Sequence, residues 1–211
     1  MTWNPEKGLC LGRVEVGGGL LFWLALLWYL GYDLLLGCFL MAAALHELGH
    51  ALAVWQCGGR IRRLRLNLLG AELELDGRER LSYGQEVWVA AAGPLVNLGL
   101  GVAAARLWQS AGWDGALMFA GASLVLGCFN LLPLDPLDGG QMLRSAVAWL
   151  WTAEAAEAVT GGVSWLIALA LLAAGVWLLW RTRYNVTLLG VALWSLLFLK
   201  EKKQKNFKRR F

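Results

Sequence analysis

The chain is built from long apolar runs separated by short polar stretches. Runs of about 20 such residues are long enough to cross, as helices, a hydrocarbon core about 30 Å thick. Five spans are predicted, at 16–32, 34–56, 87–108, 115–134 and 158–180, with a shorter sixth at 185–199. The expected fold is an all-α polytopic membrane protein forming one domain over 1–211. One segment, Gly59 to Gly77, has a different period. Leu64, Leu66 and Leu68 alternate with Arg65 and Asn67, and Ala71, Leu73 and Leu75 alternate with Glu72 and Glu74, with Gly70 between the runs. Period two predicts a short β-hairpin-like segment after the second helix, though a basic loop that only fixes orientation accounts for the same residues equally well. If the strands form, one has an unpaired edge.

Composition supports the membrane reading. A chain that is 58% hydrophobic and 16% charged, with 13 tryptophans and a mean hydropathy of +0.53, is not an ordinary soluble domain. Lys7 and Arg13 ahead of the run from Gly17 resemble a signal peptide, and "LLGC" ending at Cys38 resembles a lipoprotein cleavage box. Asp33 interrupts the first run, however, and hydrophobicity continues past Cys38, so cleavage would separate two required helices. The four cysteines show no C-x-x-C spacing and are assigned no chemistry.

Charge sets the expected orientation. Of 19 Lys and Arg, 16 fall in the N-terminal segment, the loop after span two, the stretch after span four and the segment Lys200–Arg210. The opposite set holds only Arg106, Arg181 and Arg183. Positive charge stays on the cytoplasmic side, so both termini are expected there, in agreement with six spans. Beside a membrane helix, the basic segment 200–211 is expected to fix topology and touch anionic lipid rather than bind nucleic acid.

Against this background "LMAAALHELGHALAVW" (Leu40 to Trp55) stands out, because it places both histidines of the chain and a glutamate inside an apolar helix. Ionisable groups within a membrane are costly and usually functional. In H-E-x-x-H the two imidazoles lie four residues apart on one helix face and can reach one metal ion. Two imidazoles and a carboxylate suit Zn2+, which leaves a fourth position open for water. Bound zinc lowers the pKa of that water to about 7, and the adjacent carboxylate can take its proton. His46 and His50 therefore read as ligands and Glu47 as the general base. Asp135 and Asp138, at the end of span four, are candidates for the third ligand. Asp138 is preferred because Gly139 and Gly140 leave room for close approach. Simpler roles exist for both: Asp138 as a helix N-cap, Asp135 as a turn residue before Pro136. "AAGPLVN", with Gly93, Pro94 and Asn97, reads as a helix-packing feature whose asparagine needs a partner on another helix.

"HELGH", "AAGPLVN" and "NLLPLDPLDGG", in this order, closely resemble the site-2 protease family of intramembrane zinc metalloproteases. The compact layout resembles the branch that processes a sporulation transcription factor. The resemblance implies that His46, His50 and Asp138 hold zinc, that Glu47 activates water and that Asn130 helps position the substrate. It implies a membrane-anchored protein substrate cut near the cytoplasmic face, and an unwound substrate strand added to the edge of the sheet after helix two. It also admits an inhibitory or escort membrane protein as a further partner. Relatives in that branch often carry a nucleotide-sensing domain after the last helix, where this sequence has a basic segment, so neither substrate nor regulation is specified. Two other readings compete. A metal transporter should carry polar or ionisable groups along a path through several helices, and spans one, five and six carry no ionisable residue in their interiors. A catalytically silent scaffold would not need the full motif.

Overall fold

A computed structural model describes residues 2–4, 8–11, 14–16, 26, 28–29, 31, 33–67, 70–75, 81–184 and 186–208. Most of the predicted first span lies outside the described residues, as do residues 76–80 and the end of the basic segment. Six helices are described: α1 (Asp33–Gln56), α2 (Tyr83–Ala111), α3 (Asp114–Asn130), α4 (Asp138–Leu150), α5 (Ala153–Thr182) and α6 (Thr187–Lys208). Three of them, α1, α2 and α5, are long and apolar enough to cross a membrane, and α3 is a shorter apolar helix. Their apolar windows are only 28%, 39% and 17% buried within the protein. Surfaces that apolar need an apolar solvent. The chain divides into two compact units, Met1–Phe129 and Asn130–Phe211.

The first unit contains a five-stranded sheet: β1 (Thr2–Asn4), β2 (Gly8–Leu11), β3 (Val14–Val16), β4 (Ile61–Asn67) and β5 (Gly70–Leu75), in that spatial order. β4 and β5 pair antiparallel over the alternating segment, with Leu66 opposite Ala71 and Arg65 opposite Glu72. β4 is also paired on its other side, parallel to β3. Hydropathy alone did not indicate the three N-terminal strands. Val16, where the apolar run begins, closes β3 instead, and the β-branched Val-Glu-Val triplet suits a strand.

Local chemistry explains the helix ends. α1 closes in a Schellman turn, with Gly59 N–H donating to the Val54 carbonyl and Gly58 N–H to the Trp55 carbonyl. Gly58 has a φ of 78°, a left-handed conformation that glycine adopts without steric cost. α2 begins four residues before the apolar run because Ser82 and Gln85 form a reciprocal capping box. It ends at Gly112 in the left-handed region. The predicted fourth span is shorter as a helix and stops at Asn130. Pro133 has no N–H for a helical bond, so the chain turns there. α4 then starts at Asp138, with Leu137 as its cap residue, so Asp138 is the first helical residue and not the N-cap.

Small residues let the first-unit helices approach closely. A Cβ on Gly49 of α1 would lie 2.9 Å from the Ala92 carbonyl of α2. Cys38 and Ala42 of α1 pack with Ala122, Phe119 and Leu126 of α3. In the second unit, Gly175 of α5 meets the backbone of α6 at Leu189, again too close for a side chain. Close packing over small residues is how helices associate when the solvent is lipid.

Candidate metal centre

His46 and His50 are both buried, at 5% and 6% exposure, on the face of α1 turned toward α2. Their Nε2 atoms lie 3.1 Å apart, and the rings meet edge-on with an interplanar angle of 80°. Two imidazole nitrogens held tetrahedrally by one zinc at about 2.0–2.1 Å lie roughly 3.3 Å from each other. The observed spacing therefore fits a shared cation with little adjustment. Glu47 is partly buried, one residue along from His46.

α2 orients both rings. His50 Nδ1 lies 2.7 Å from the Val89 carbonyl, which can only accept, so Nδ1 carries the proton and donates it. In the neutral ring the lone pair is then on Nε2. A metal-bound imidazole is typically held by this kind of outer hydrogen bond. Gly93 makes space for the ring, since a Cβ there would fall 2.3 Å from His50 Nε2. On His46 the outer partner is Asn97, fully buried, with its Nδ2 3.2 Å from His46 Nδ1. The Asn97 Oδ1 is buried without a hydrogen-bond partner among the described residues.

An asparagine can serve either tautomer of its neighbour. When Nδ2 donates to Nδ1, the His46 proton sits on Nε2 and bonds to His50. When the amide turns and Oδ1 accepts from Nδ1–H, both Nε2 lone pairs point to one place. The second arrangement is the one in which His46 and His50 could both hold a cation. The sequence reading treated Asn97 as packing and recognised its need for a partner on another helix; the partner is a proposed ligand.

The other sequence-predicted residues lie near the boundary of the second unit. Asn130 is the last residue of α3 and is partly buried. Asp138 opens α4, partly buried, and the two glycines that follow are packed beneath the preceding turn. A Cβ on Gly139 would lie 2.3 Å from the Leu131 carbonyl, and one on Gly140 would lie 2.7 Å from that of Leu134. Asp135 is committed elsewhere. Its carboxylate, 2% exposed, accepts from Arg144 Nη2 at 2.9 Å and from Lys202 Nζ. The sequence offers Asp135 as a candidate third ligand or a turn residue, and the pairing with Lys202, 67 residues away, is not legible in it.

A protein-family model, Peptidase family M50, matches residues 105–174, from the end of α2 through the Asp135 turn into α5. A putative zinc metalloprotease, Rip3, of Mycobacterium tuberculosis is 31% identical over 168 residues, which cover 71% of this chain. The chain is a relative of the M50 zinc metalloproteases. Stage IV sporulation protein FB of Bacillus subtilis is 33% identical over half of the chain. These matches span 40% and 38% of those proteins, so this M50 relative corresponds to about two fifths of their length. The solved structure of the site-2 protease from Methanocaldococcus jannaschii shares the fold, with a TM-score of 0.68 at 22% identity over 92% of this chain and 93% of that one.

Proposed function

We propose that this M50 relative is an intramembrane zinc endopeptidase that cuts membrane-anchored proteins near the cytoplasmic face. The observation that carries the reading is the pair of buried imidazoles, Nε2 to Nε2 at 3.1 Å, with Glu47 beside them on an apolar helix. His46 and His50 supply two ligands and Asp138 the third. Asp138 is favoured over Asp135 because both oxygens of Asp135 are occupied by Arg144 and Lys202. Zinc, when bound, supplies Lewis acidity and makes hydroxide accessible near neutral pH.

Glu47 accepts the proton from the attacking water and returns it to the leaving amine nitrogen, so one carboxylate serves as base and then as acid. Val89 and Asn97 keep the two imidazoles in register through the cycle. A helical substrate hides its peptide groups in its own hydrogen bonds and must unwind before attack. An extended segment could then pair with an outer strand edge of the sheet; β5 is unpaired on that side among the described residues. Asn130 at the end of α3 helps hold that segment. Six membrane-crossing helices with cytoplasmic termini agree with the distribution of 16 against three basic residues. An inhibitory or escort membrane protein would then control substrate access.

The test is Glu47→Gln, assayed for cleavage of a membrane-anchored substrate and for zinc content. Cleavage should fall at least ~10²-fold, the scale of a lost general base, with zinc retained. Undiminished cleavage would refute the mechanism.

A further inference from the structure

The cluster around Asp135 is larger than one ion pair. Arg144 of α4 and Lys202 of α6 both bind its carboxylate, and Glu157 of α5 faces both cations, at 3.7 Å from Arg144 Nη1 and 3.4 Å from Lys202 Nζ. Two acids and two bases thus join a turn and three helices of one unit, with no net charge. The Asp135 backbone N–H also donates to Ser164 Oγ of α5 at 3.0 Å. The turn is tightly closed, with Leu134 N–H donating to the Leu132 carbonyl and Leu137 N–H to that of Leu134, both at 2.7 Å. Asp138 is the next residue, at the start of α4.

From this geometry we infer that Asp135 is a positioning residue for Asp138, and that Lys202 makes the C-terminal helix α6 part of the support of the metal site. The physical reason is leverage. A carboxylate that is buried must keep its cations, so the turn follows Lys202 and Arg144 instead of swinging independently. With both glycines packed under the turn, α4 cannot shift at its first residue unless the turn moves too. The position of Asp138 is then set from α6, far away in sequence. The inference rests on the reading of Asp138 as a ligand.

The experiment measures zinc release to a chelator from purified full-length protein, for Lys202→Met, Lys202→Arg, Asp138→Ala and the double variant Lys202→Met/Asp138→Ala. Lys202→Met should speed release about tenfold, the scale of losing an outer partner of a metal ligand. Lys202→Arg keeps the cation and should restore slow release. In the Asp138→Ala background Lys202→Met should add nothing, because its effect passes through Asp138. A general loss of stability would instead speed release equally in both backgrounds, and that result would overturn the inference. So would unchanged release in Lys202→Met while Asp138→Ala releases quickly. Unchanged release in Asp138→Ala itself would remove the ligand reading and the inference with it.

Discussion

The histidine pocket between α1 and α2 and the Asp135 cluster bury polar groups by opposite means. The pocket uses neutral hydrogen bonds: a backbone carbonyl for His50 and an asparagine amide for His46. The cluster uses full charges, with Asp135 held by two cations and those cations balanced by Glu157. A neutral network leaves the imidazole lone pairs available and lets the His46 proton sit on either nitrogen. A charged network allows no such freedom, since removing one member leaves another charge uncompensated. One arrangement suits the proposed metal ligands, and the other suits a turn that must stay in place.

Substitutions can break this contrast. The largest effect should come from Gly93→Ala, which sets a Cβ against the His50 ring where there is no room. Zinc content should fall to background and cleavage with it; full zinc occupancy would mean that α1 and α2 can separate at little cost. Asp135→Leu should come next, leaving Arg144 and Lys202 to share Glu157. Breaking a buried pair typically costs about 3–5 kcal/mol. Because the two cations are 35% and 26% exposed and can reach water, the low end of that range is expected in chemical denaturation. A loss below ~1 kcal/mol would show that the cluster is a surface feature.

Asn97→Leu tests the neutral side. It removes the hydrogen-bond partner of His46 Nδ1 and should weaken zinc binding about 10- to 100-fold in metal titrations. Asn97→Asp, which can only accept, should retain binding, because it favours the Nδ1–H tautomer. Equal loss in both variants would show that Asn97 merely fills space. Ser82→Ala removes the α2 cap and should cost about 1 kcal/mol with zinc affinity unchanged. Glu157→Gln should have the smallest effect, at most ~1 kcal/mol, because Glu157 is half-exposed and its partners keep Asp135.

Much of the catalytic proposal was legible in the chain. H-E-x-x-H needs only helical periodicity to bring two imidazoles together, and an apolar surrounding makes any ionisable group conspicuous. The alternation over 61–75 likewise carries its own strand signal. The N-terminal strands carried almost none, because triplets such as Thr2–Asn4 and Val14–Val16 are too short for a period to be read.

Sequence alone thus determined the elements whose cause is local: apolar helices, the Schellman turn at Gly58, the capping box at Ser82 and the spacing of His46 and His50. The choice of partners was made by tertiary structure. Asn97 could have packed against any helix, and only the close approach of α2 to α1 across Gly49 and Gly93 brings it to His46. Asp135 could have been an ordinary turn residue, and only the packing of α4, α5 and α6 brings Arg144, Glu157 and Lys202 around it. Hydrogen bonds and ion pairs act over a few ångströms, and distance along the chain does not reveal which residues folding will bring that close.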